Sequence, residues 1–129
     1  MKPLLDTHIF LWGLLEPARL RGEVAAVLEA ASEVWLSPIT VWESLLLAER
    51  GRVVLEPDGP TWMRKALRAV AFREAPLTHE VAFASRTVAL PHQDPADRFL
   101  VATAITYRLT LVTADQRIVA ARPCDLLAA

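Results

Sequence analysis

Cysteine is almost missing from this 129-residue chain, where Cys124 stands alone. A single thiol excludes an internal disulfide framework and argues against a structural zinc site. A small apolar residue in a late buried strand is the expected role for Cys124. Lysine is nearly as scarce: of the 14 basic residues, all but Lys2 and Lys65 are arginine. With 15 acidic residues the formal net charge is −1, which argues against nucleic-acid binding by overall charge. Arginine instead suits local, two-pronged contacts with phosphate. No Gly-rich phosphate loop, P-loop lysine or Gly-x-Ser-x-Gly elbow occurs, and His8, His79 and His92 lie far apart in sequence. A phospho-accepting receiver domain would need a lysine after a late strand, where none stands. Apolar runs such as Ile9 to Leu15 are far short of a membrane span, and Asp6 interrupts the first run too early for a signal peptide. These absences point to a cytoplasmic protein with no membrane attachment.

Apolar residues, by contrast, make up 53% of the chain. That suffices for one domain over residues 1–129 with a proper core. The excess also predicts burial beyond the monomer, in a homodimer or under a partner chain. Trp12, Trp35, Trp42 and Trp62 are expected to serve core and interface packing.

The pattern along the chain alternates strands with helices. Leu4-Leu5 reads as a short buried strand, followed by helices over 8–15 and 17–31, the second carrying Leu20, Val24, Val27 and Leu28 at helical spacing. A strand is expected over 33–37, then a helix from Pro38 to about Glu49 with Gly51 as terminator. A helix over 61–70 and a weak strand over 74–77 follow. Thr78 caps a helix to about Val88, and Asp94-Pro95 starts one that reaches Tyr107. Leu109 to Thr113 is the clearest strand, being apolar, β-branched and bounded by turn residues. A short helix over 116–121 and a strand over 124–127 complete the chain. The alternation predicts an α/β fold, a three-layer α/β/α sandwich with a parallel central sheet.

Against that frame stand four carboxylates that one fold could gather: Asp6, Glu43, Asp97 and Asp115. Asp6 and Asp115 follow strand-like runs, where an open α/β sheet places its active site. Asp6, Asp94 and Asp115 also have an ordinary explanation as helix caps, and Asp94-Pro95-Ala96-Asp97 forms a variant capping box. Glu43 is harder to explain away. Its helical neighbours are Ile39, Leu46 and Leu47, and an unpaired buried carboxylate costs on the order of several kcal/mol. A cation is the economical partner, because clustered carboxylates repel one another and hard divalent ions relieve that repulsion. Arg98 has two readings of equal weight, orienting a phosphate or pairing with Asp94 or Glu43.

The segments Leu4-Leu5-Asp6-Thr7-His8, Ser37-Pro38-Ile39-Thr40-Val41-Trp42-Glu43, Asp94-Pro95-Ala96-Asp97-Arg98 and Leu111-Val112-Thr113-Ala114-Asp115 occur in this order. As an ordered set they resemble the PIN-domain ribonucleases, in particular the toxins of VapBC-type toxin–antitoxin pairs. Ala96 departs from that pattern, which commonly has a bulky aromatic there. The resemblance implies a Mg²⁺- or Mn²⁺-dependent endoribonuclease neutralised by an antitoxin protein. It also implies Asp6, Glu43, Asp97 and Asp115 as the catalytic, metal-binding acids. Asp94 becomes an additional metal-site carboxylate, and Thr113 a hydroxyl supporting the acids around the metal. The competing reading is a non-catalytic interaction module on the same fold, with the acids serving as caps and ion pairs.

Overall fold

The computed structural model describes residues 1–20 and 22–129. Its strands are β1 (Pro3–Leu5), β2 (Trp35–Leu36), β3 (Arg73–Glu74), β4 (Thr110–Thr113) and β5 (Leu126–Ala128). Its helices are α1 (Thr7–Leu15), α2 (Gly22–Ala30), α3 (Pro38–Glu49), α4 (Gly59–Ala69), α5 (His79–Ser85), α6 (Pro95–Tyr107) and α7 (Gln116–Ala121). The strands form one all-parallel sheet in the order β3-β2-β1-β4-β5.

Side chains alternate across this sheet, and both faces are covered. Leu4 and Leu111 turn to one side, into a core with Leu100, Val101 and Ile118 from α6 and α7. Leu5 and Val112 turn to the other, packing with Ile9, Phe10, Val24 and Met63 from α1, α2 and α4. Continuous apolar strands are what a sheet buried on both faces requires. The result is the expected three-layer α/β/α arrangement.

The topology dictates where a site can form. From β1 the chain moves outward through β2 to β3, then returns to place β4 on the opposite side of β1. At such a switch point the connections leave in opposite directions from the carboxyl ends of β1 and β4, opening a crevice. Asp6 directly follows β1, and Asp115 lies two residues beyond β4.

Capping explains most helix starts. Asp6 accepts from Thr7 N at 2.7 Å, Ser37 from Ile39 N at 3.0 Å and Asp58 from Thr61 N at 2.8 Å. Asp94 accepts from Asp97 N at 3.2 Å and Asp115 from Arg117 N at 2.8 Å. Each satisfies an amide that the first helical turn leaves without a partner.

Several expectations are corrected. The helix expected over 17–31 is a 3₁₀ turn at Pro17–Arg19 followed by α2, and its Arg21 lies outside the described residues. The weak strand over 74–77 shifts to Arg73–Glu74, an exposed edge pair held by its parallel register with β2. The last strand begins at Leu126, so half-buried Cys124 sits in the turn before it. Trp62 meets Phe10 edge-on in the core, and Trp35 stacks on Tyr107. Trp42, however, is 52% exposed, and Trp12 lines a cleft. Among the described residues, no helix is long and apolar enough to cross a membrane.

Candidate active site

The crevice at the switch point is a cleft of about 360 Å³. Asp6, Glu43, Asp94, Asp97 and Asp115 all line it, together with His8, Trp12, Ala114 and Arg117. The five acids come from four places in the chain: the end of β1, the middle of α3, the start of α6 and the turn after β4. Sequence reasoning named these five, and the fold brings all of them to one cleft.

Each acid is held by specific donors. Asp6 is buried; Thr7 N binds its Oδ1, and the Thr113 hydroxyl donates to its Oδ2 at 2.5 Å. Thr113 also accepts from Asp115 N at 3.0 Å, so one hydroxyl links the two acids beside the switch point. The fully buried Thr7 donates its own hydroxyl to Glu43, fixing the α3 carboxylate to the start of α1. Asp97 Oδ2 meets His92 Nε2 at 2.9 Å and Arg117 Nη2 at 3.3 Å. Arg117 also reaches Asp115 Oδ2 at 3.1 Å.

The electrostatics follow from burial and crowding. Burial pushes the Asp6 carboxyl above its usual range, against the lowering effect of Thr113 and Thr7, and the Asp115 charge adds to the rise. Glu43 is raised by burial in the same way, opposed by Thr7 and reinforced by the charges of Asp6 and Asp94. Asp97 is raised to about 6: burial leads, His92 opposes, and Asp94, Asp6 and Asp115 all push upward. Burial acts on Asp115 too, but hydrogen bonds and charge from Arg117 outweigh it and hold that carboxyl low. Three acids that resist ionising while facing one another form a site short of positive charge.

That donor set suits a hard divalent cation, since it offers carboxylate oxygens and no thiolate. Among the described residues, no three such side chains already stand in a ligating arrangement. The carboxylates that could hold such an ion are those lining the cleft, Asp6, Glu43, Asp94, Asp97 and Asp115.

Arg98 has a different place from either role expected of it. It is buried, and its guanidinium donates to four backbone carbonyls: Ser85 and Leu90 at 2.9 and 3.0 Å, and His92 and Arg86 at 3.3 Å each. It fastens the segment between α5 and α6 and neither lines the cleft nor pairs with Asp94 or Glu43. Conversely, Thr7, His92 and Arg117 were missed as site residues. Only Thr7 left a local signal, adjoining Asp6 at a helix start.

A family model described as PIN domain matches residues 4–122 of the chain. Ribonuclease VapC22 of Mycobacterium tuberculosis is 36% identical over 118 residues, covering 89% of this chain and 88% of that protein. The crystal structure of VapBC2 from Rickettsia felis, bound to a DNA fragment from its promoter, superposes with a TM-score of 0.75 at 14% identity. It covers 100% of this chain and 99% of that one. A toxin–antitoxin complex from Klebsiella pneumoniae has a TM-score of 0.65 at 23% identity, covering 98% of this chain and 96% of its counterpart. At these identities the two solved structures show a shared fold.

Proposed function

The chain belongs to the PIN-domain family, and from that membership we propose that it is a divalent-metal-dependent endoribonuclease, the toxin of a toxin–antitoxin pair. The observation that carries this reading is the convergence of five carboxylates from distant segments on one cleft at the sheet's switch point. The 36% identity to a ribonuclease over most of both chains supports RNA as the substrate.

When bound, a Mg²⁺ or Mn²⁺ ion supplies Lewis acidity toward a phosphodiester and makes a nearby water a better nucleophile. Asp6, Glu43, Asp97 and Asp115 would hold it. Thr113 and Thr7 orient the carboxylates of Asp6 and Glu43 through their hydroxyls, so these two side chains need little reordering when an ion arrives. Asp94 caps α6 with one oxygen, which leaves it a secondary contributor. His92 steadies Asp97 from the side.

An antitoxin partner is part of the proposal, because a solved structure sharing this fold is a toxin–antitoxin complex. A homodimer is proposed as well. Support comes from apolar side chains left in solvent, with Leu14 and Leu15 on α1, Trp42 on α3 and Phe83 on α5 all exposed.

One observation favours a second reading, a non-catalytic interaction module: Asp6, Asp94 and Asp115 each cap a helix. RNA cleavage by the purified chain, freed of any partner, separates the two. Cleavage with Mn²⁺ that is lost in chelator and lost in Glu43→Gln is expected. Equal cleavage by Glu43→Gln would remove Glu43 from the site, and no cleavage by the native chain in Mn²⁺ would sink the enzyme reading.

A further inference from the structure

Arg117, in the first turn of α7, does more than pair with its neighbour. Its Nη2 donates to Asp115 Oδ2 at 3.1 Å and to Asp97 Oδ2 at 3.3 Å, while Nε reaches Asp115 Oδ1 at 3.4 Å. One guanidinium therefore spans two carboxylates that lie 18 positions apart in the sequence, one in the first turn of α6 and one capping α7. A planar fork is the side-chain cation best shaped for this, and lysine would not reproduce it. Among the described residues lining the cleft, Arg117 is the only arginine or lysine.

The exposures of the partners are unequal. The Arg117 side chain is 58% exposed, whereas that of Asp97 is 10% exposed. The arginine can leave into water at little cost, but Asp97 cannot leave the cleft. The arginine end of this pair is open to water and to salt, so another cation can take its place on Asp97. The oxygens that it occupies are also among those an incoming ion would need.

We propose that Arg117 is a tethered counter-cation, a positioning residue that holds Asp97 and Asp115 together in the metal-free protein and yields them when a divalent ion binds. The proposal rests on the reading of the cleft as a metal site. It makes metal affinity a competition between an external ion and a residue of the chain itself.

The test is Mn²⁺ titration of the full chain, native and Arg117→Gln, with free Mn²⁺ followed by electron paramagnetic resonance and melting recorded at both ends. Arg117→Gln is expected to bind Mn²⁺ roughly 1.5-fold to fivefold more tightly at low salt, the size of an exposed ion pair removed. It should melt below the native chain without metal, and that gap should close at saturation. Equal or weaker Mn²⁺ affinity in Arg117→Gln overturns the proposal alone. So does a melting gap that persists unchanged at saturation, which would make Arg117 a fixed brace. Failure of both chains to bind millimolar Mn²⁺ overturns the metal site and this proposal with it.

Discussion

The hydroxyl of Thr113 donates to Asp6 Oδ2 at 2.5 Å across 107 positions of sequence, tying the carboxylate that ends β1 to the last residue of β4. The same oxygen accepts from Asp115 N. Thr113→Val keeps the shape and removes both contacts. Leaving one buried acceptor and one amide without partners should lower unfolding free energy by about 1–3 kcal/mol. Cleavage should fall as well, because Asp6 loses the group that orients it. Urea denaturation checks the first effect, and an unchanged midpoint would mean that water replaces the hydroxyl.

Arg98 supplies a sharper contrast. Its donors satisfy four carbonyls between Ser85 and His92, so Arg98→Met should strand several of them and destabilise the fold by roughly 3 kcal/mol or more. A phosphate-binding arginine would behave otherwise, raising KM with little change in stability. Melting curves beside steady-state kinetics decide between them.

Asp94 and Asp97 stand three residues apart and should respond differently to the same change. Asparagine caps a helix about as well as aspartate, so Asp94→Asn should keep α6 and lose activity only in part. Asp97→Asn should fold yet be inactive, with weakened Mn²⁺ binding, since a neutral amide replaces an anionic oxygen. Circular dichroism and RNA cleavage at fixed Mn²⁺ test the pair. A fully active Asp97→Asn would remove that residue from the site, and a dead Asp94→Asn would make Asp94 a direct ligand.

Without metal, stability should depend on pH through Asp97. Its carboxyl titrates at about 6 in the folded chain against 3.8 ordinarily, so the folded form holds this proton more tightly. Its contribution to stability is complete below the ordinary value and is lost as pH rises through about 6. The melting temperature in chelator should therefore fall between these two pH values, and Asp97→Asn should flatten that slope. A native slope of opposite sign would contradict the crowding of acids in the cleft.

Local signals carried far in this chain. Asp94-Pro95 marked the start of α6 because a cap and a first-turn proline need no tertiary context, and Leu109 to Thr113 declared β4 by composition. Asp6 and Asp115 were legible as strand-end acids, and Glu43 as a carboxylate among apolar neighbours. Arg98 was not, because its partners are backbone carbonyls, which leave no mark on sequence. Arg117 was hidden for another reason: its meaning depends on Asp97, brought near only when α6 and α7 pack on the sheet. Trp42 was expected in the core or at an interface, and its 52% exposure on α3 takes it out of the monomer's core.

The central place of β1 has a consequence for synthesis. β1 leaves the ribosome before both of its neighbours, β2 and β4, and β4 pairs with it only once Thr110 to Thr113 have emerged. Until then Asp6 lacks the Thr113 hydroxyl, and Asp115 has not been made. A nascent chain, or one cut short by a premature stop before Asp115, carries every earlier acid but cannot assemble the cleft. The cleft is therefore completed only after β4 and the turn that follows it have been made.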